Sequence, residues 1–161
     1  MFSTDVITDR NQVTTDYVSC VFNHALETQN RVVAVREIVN RDSATGAVAA
    51  FEVNWKDDSD QSVPHRVFLK VADVYNGKVP WELIVYRDLL TDTPNLPLVR
   101  CFDGCFDATC QKYHLLLEDV SMTHRAMRSG LPPTFAESQG VVSALAAFHK
   151  RWWGSETMHA Q

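Results

Sequence analysis

The period of apolar and polar positions changes several times along this chain, and each change predicts a change of element. Between residues 14 and 28, Tyr17, Val18, Val21, Phe22, Ala25 and Leu26 recur at helical spacing, which predicts an opening helix with Thr14 or Thr15 as N-cap. A valine-rich stretch at 31–40, a polar turn over 41–46 and a second stretch at 47–55 then read as a hairpin, because Ala49, Phe51, Val53 and Trp55 share one face at period two. The acidic, polar run at 56–62 reads as a solvated loop rather than a metal site. A third strand is predicted at 66–72, and Asn76 begins the crossing to a helix over 80–90. Pro80 suits the first helical position, where its missing N–H would have no partner anyway. Pro94 and Pro97 break that helix, and two further strands follow at 98–103 and 113–117, joined across 104–112. The fold class predicted is α+β, a five-stranded antiparallel sheet with one inserted helix. Beyond Glu118 the pattern changes to a polar connection over 121–133 and a long helix over 134–153, with Val141, Leu145, Phe148 and Trp152 along one stripe. A boundary near Val120 therefore divides the chain into 1–120 and 121–161.

Composition narrows the classes of function. With 161 residues and 45% hydrophobic content, the chain is sized for one ordinary core. A net charge of -5 gives no electrostatic reason to expect a nucleic-acid partner. No stretch approaches the roughly 18 apolar residues of a membrane span, and Met1–Asp5 has no basic region followed by an apolar run, so a cytoplasmic protein without membrane contact is expected. Cys20, Cys101, Cys105 and Cys110 are then expected to be reduced. The spacing of Cys101, Cys105, Cys110 and His114 can be drawn as a zinc site, but it lacks the short knuckles of structural zinc and straddles two strands; half-buried thiols on a hairpin are the simpler reading.

Four places could carry chemistry. In strand 66–72, alternation puts Val67, Leu69 and Val71 on one face and Phe68 and Lys70 on the other. An apolar surface for a flat ring, with an ammonium two residues further on, suits a nucleotide; a solubilising lysine at a sheet edge is the alternative. Glu82 opens the next helix, sharing a face with Val85, Tyr86 and Leu89, so that packing would draw its carboxylate inward toward Lys70; an acid favoured by the helix dipole is its other reading. Ser43, Ala44, Thr45 and Gly46 offer N–H groups and hydroxyls to phosphate oxygens, or form a plain hairpin turn. The strand 113–117 empties abruptly into Glu118 and Asp119, an exit that can present backbone groups to an adenine edge or simply end a strand.

Taken together, these pieces resemble the N-terminal half of the aminoglycoside phosphotransferase and choline kinase-like superfamily, in its bacterial branch that also resembles ecdysteroid kinases. The matching residues are Val67-Phe68-Leu69-Lys70-Val71, the helix from Glu82 to Leu89, Pro97-Leu98-Val99-Arg100-Cys101-Phe102-Asp103, the string Tyr113 to His124, and Leu145-Ala146-Ala147-Phe148-His149-Lys150-Arg151-Trp152-Trp153, spread over about residues 30–153. The resemblance implies a protein-kinase-like N-lobe followed by the first long helix of a helical C-lobe. It implies ATP as cofactor, with Lys70 on the α- and β-phosphates, Glu82 orienting Lys70, Phe68 against the ring and Leu117 at the gatekeeper position. The carbonyl of Glu118 and the N–H of Val120 would read the adenine edge.

Two departures shape the functional expectation. The turn at Ser43, Thr45 and Gly46 has one glycine where protein kinases have three. No His-x-Asp loop with its following Asn, and no later magnesium-binding Asp, occurs after Lys70. The chain is therefore expected to be the ATP-binding portion of a small-molecule phosphotransferase, a fragment inactive by itself. Complete relatives would bind magnesium and pass the γ-phosphate to a small-molecule hydroxyl. A non-catalytic nucleotide- or protein-binding module of the same fold is the alternative, and an unrelated α+β domain is the third. The apolar stripe of the long helix offers a route to self-association.

Overall fold

The computed structural model describes residues 5–27, 29–43, 46–58, 63–75, 79–89, 98–124 and 132–154. Helix α1, Thr15–Ala25, starts where the apolar period predicts, and the Thr14 hydroxyl caps it by accepting the Tyr17 N–H at 3.2 Å. Strands β1 (Val32–Ser43), β2 (Gly46–Trp55), β3 (Arg66–Asp73), β4 (Cys101–Asp107) and β5 (Lys112–Glu118) form one antiparallel sheet in the order β1-β2-β3-β5-β4. Since β3 and β4 each run antiparallel to β5, they run parallel to each other, and the chain between them carries α2, Trp81–Ile84. The architecture is α+β, with a five-stranded antiparallel sheet and one inserted helix.

The two sheet faces have different coverings. On the first, Ala49, Phe51, Val53, Trp55, Val67, Leu69 and Val71 are all buried in one cluster with Val18 and Phe22 of α1. Phe22 meets the rings of Trp55 and Phe102 edge-on, at centroid distances of 5.4 and 4.7 Å. On the second face, Leu83 of α2 packs with Tyr113, Leu115 and Leu117 of β5, and the partly buried Phe68 joins them.

Several boundaries differ from the sequence expectation. The polar stretch at 41–46 is mostly strand: pairing runs on from Arg41↔Val48 to Ser43↔Gly46. A polar side chain on an outer strand stays solvated, so polarity does not end the ladder there. Pro80 is the N-cap, with extended backbone (φ -66°, ψ 136°), rather than the first helical residue. The helix expected over 80–90 is one α turn that widens into a π turn, Val85–Leu89. Leu83, Ile84 and Leu89 are buried there, and Val85 and Tyr86 only partly. Strand β4 lies further along than 98–103 because Gly104 is a strand residue, not part of the connection. A Cβ on Gly104 would stand 2.8 Å from Leu83 Cδ1 and 2.9 Å from Leu115 Cδ2, both belonging to fully buried side chains, so glycine lets α2 reach the sheet.

Helix α3, Phe135–Trp152, begins with a reciprocal capping box between Thr134 and Glu137 and carries His149, Lys150 and Arg151 in its last turn, where cations suit the dipole. Of the stripe read from the sequence, Trp152 is buried, Phe148 is half-buried, and Val141 and Leu145 are exposed. No helix among the described residues is long and apolar enough to cross a membrane.

Candidate functional site

Lys70 and Glu82 converge. In β3, Phe68, Lys70 and Ala72 pair across the ladder with Leu117, Leu115 and Tyr113 of β5, and with Ala50, Val48 and Gly46 of β2. Those partners place Lys70 on the face away from α1, inside an otherwise apolar neighbourhood. The Lys70 Nζ donates to Glu82 Oε2 at 2.5 Å. The same oxygen accepts the Tyr113 hydroxyl at 2.7 Å, and the ammonium stands 5.9 Å from the centre of the Tyr113 ring. Burial, and then the bond to Glu82, push the Tyr113 phenol above its ordinary value, so it remains a donor.

The pair is less enclosed than the sequence suggests, since the Lys70 and Glu82 side chains are 34% and 35% exposed. The reason is the seat of α2: Leu83, held against Gly104 and Leu115, takes the inner position and leaves its neighbour Glu82 at the margin. An ammonium held on one side and open on the other can receive a second anion without first being dragged out of the core. The exposure therefore suits a binding role better than full burial would.

At the end of β5, Leu117 is buried opposite Phe68, and Glu118 is exposed. The Glu118 N–H donates to the Arg100 carbonyl at 2.8 Å, and the Val120 carbonyl accepts from Thr123 and His124. Arg66 Nε donates to Asp119 at 2.9 Å, which ties the end of β5 to the start of β3. Burial alone would raise the Asp119 carboxyl, but bonds from Ser121 and the Arg66 guanidinium outweigh it and hold the group below the ordinary carboxylate range.

The hairpin tip contributes less than its composition suggests. Thr45 and the Ser43 side chain lie outside the described residues. Gly46 sits in the ladder between Ser43 and Ala72, and a Cβ there would meet the Val71 carbonyl oxygen at 2.1 Å. Close approach of β3 is enough to require a glycine at this position.

The zinc arrangement does not form: among the described residues no group of three or more His, Cys, Asp or Glu side chains could hold a metal ion. Cys101 pairs with Leu117 on the α2 face, and its thiol is pushed up to about 12, first by burial and then by the nearby Asp103 charge. His114 points the other way, into a buried polar cluster that sequence reasoning missed. Its Nδ1 accepts the Ile7 N–H at 2.9 Å, so the ring proton sits on Nε2, 3.3 Å from Asp103 Oδ2. Tyr17 donates to the same Asp103 oxygen at 2.9 Å. The available signal was a histidine inside the apolar run Tyr113-His114-Leu115-Leu116-Leu117, a polar group that burial obliges to find partners.

Comparisons with protein-family models, with curated proteins and with solved structures find no match to this chain.

Proposed function

We propose that these residues form a nucleotide-binding unit of the small-molecule phosphotransferase type, with a protein-kinase-like N-lobe, and that ATP is its ligand. The observation that carries the reading is the Lys70 ammonium, held by Glu82 and a third exposed, rising from an apolar sheet face beside Phe68. Such an ammonium would bond the α- and β-phosphates while Glu82 keeps it from swinging into solvent. Phe68 and Leu117, paired across the ladder, would flank the adenine ring. The Glu118 carbonyl and the Val120 N–H would take its polar edge, as backbone groups do in pre-formed ligand clefts.

Binding and transfer are separable here. The sequence carries no His-x-Asp loop with its following Asn, and no later magnesium-binding Asp, after Lys70. Residues 1–161 are therefore expected to bind ATP and not to transfer its γ-phosphate. Titration calorimetry with ATP, AMP and adenosine tests the reading. ATP should bind at least about 10-fold more tightly than AMP, because charge-assisted bonds to the outer phosphates supply the difference. Equal affinity for all three, or heat from none, would contradict it.

A further inference from the structure

We infer that Tyr113 is a positioning residue of the Lys70–Glu82 clamp, its hydroxyl fixing the Glu82 carboxylate so that the carboxylate in turn holds Lys70 toward the ligand. The inference rests on the nucleotide reading only for the identity of that ligand. Three observations carry it. Tyr113 is buried, at 7% exposure, and belongs to a strand locked on both sides, so its hydroxyl has little freedom. Glu82 is the opposite case: it stands on a single α turn that opens directly into a π turn, and its side chain is 35% exposed. A carboxylate on so short an element has several rotamers open to it, and holding one costs side-chain entropy. The Tyr113 hydroxyl, at 2.7 Å, ties that carboxylate to the sheet that carries Lys70.

Both ends of the clamp thus refer to one rigid frame. Ala72, the ladder partner of Tyr113, lies two residues beyond Lys70, on the same face. The ring beneath the ammonium, at 5.9 Å, adds a weak attraction that survives loss of the hydroxyl. This is why Tyr113→Phe isolates the hydrogen bond. The donor also stays available: a phenol whose folded value lies above the unfolded one keeps its contribution intact below the unfolded value, about 10, and loses it only as pH rises through the folded value.

The test uses residues 1–161 with isotope-labelled lysine, comparing wild type, Y113F, E82Q and the double variant. The NMR resonance of the Lys70 ammonium, assigned by its loss in K70R, is recorded without nucleotide. In Y113F it should broaden or vanish through faster exchange with water, while the backbone amide spectrum stays folded. ATP affinity should fall about 10-fold in Y113F, by the same factor at about pH 7 and about pH 9, and by less than about two-fold when Y113F is added to E82Q. An unchanged Lys70 resonance in Y113F overturns the inference, and so does an additive Y113F effect in the E82Q background. Wild-type protein that binds no ATP, yet whose Lys70 resonance responds to Y113F, overturns the nucleotide reading and leaves the positioning role standing.

Discussion

Asp103→Ala is expected to lower the free energy of unfolding by about 2–4 kcal/mol, a large effect for a single polar substitution. Asp103 is 2% exposed and His114 is fully buried, and one Asp103 oxygen receives both the Tyr17 hydroxyl and the His114 ring. Deleting the carboxyl removes the acceptor of both groups; the Tyr17 oxygen, 3.3 Å from His114 Nε2, can accept the ring proton. That leaves the Tyr17 hydroxyl proton as a buried donor without a partner at a cost of about 1–3 kcal/mol, on top of the two lost bonds to the carboxylate. The damage would spread, because the cluster joins four separate parts of the chain: Ile7 before α1, Tyr17 on α1, Asp103 on β4 and His114 on β5. Burial, the largest cause of the raised Tyr17 phenol, remains when Asp103 is removed, so no ionised form of Tyr17 relieves the loss near neutral pH. Urea denaturation checks this through a lower midpoint at unchanged slope. Asp103→Asn, which keeps one acceptor oxygen, should lose less than half as much, and an Asp103→Ala change below about 1 kcal/mol would show that the cluster is not holding the fold.

Lys70→Ala should do the reverse, sparing the fold and removing the ligand. An ion pair with both members a third exposed contributes about 0–1 kcal/mol, so the urea midpoint should barely move. Charge-assisted bonds from the ammonium to phosphate oxygens are worth about 1.5–3 kcal/mol, and their loss should weaken ATP binding about 10- to 100-fold. Paired denaturation and calorimetry on the same preparation separate the two effects. Large destabilisation with unchanged ATP affinity would make Lys70 a structural residue and remove the basis for a binding role.

How much of this was legible in the sequence depends on the range of the interaction that decides each feature. The face shared by Ala49, Phe51, Val53 and Trp55 is a local alternation, and it is buried as read. The approach of Glu82 to Lys70 was expected from a helix face shared with Val85, Tyr86 and Leu89; the pair does meet, but Leu83 and Ile84 are buried with Leu89, and Val85 and Tyr86 only partly. Gly104 was misread as part of a connection because its reason is distant: the Leu83 and Leu115 side chains occupy the space a Cβ would need. The same contact fixes the seat of α2, so the π turn and the exposure of Glu82 were hidden with it. Tyr113 passed as an apolar strand residue, since nothing in its neighbours marks which tyrosine will place its hydroxyl on a carboxylate 31 positions earlier in the chain. His114 and Asp103 are 11 residues apart, but Tyr17 and Ile7 reach them across 86 and 107 residues, beyond any periodic signal.

Amide chemical shifts recorded while ATP is added to isotope-labelled residues 1–161 show whether nucleotide binds beside Lys70. Saturable changes clustered at Phe68, Lys70, Glu82, Leu117 and Val120, around the ammonium, are expected. Changes confined to Thr8, Asp9 and Asp42, which line a cavity of about 240 Å3 together with Leu69 and Val71 of the opposite face, would contradict binding there, as would a spectrum that does not move at all.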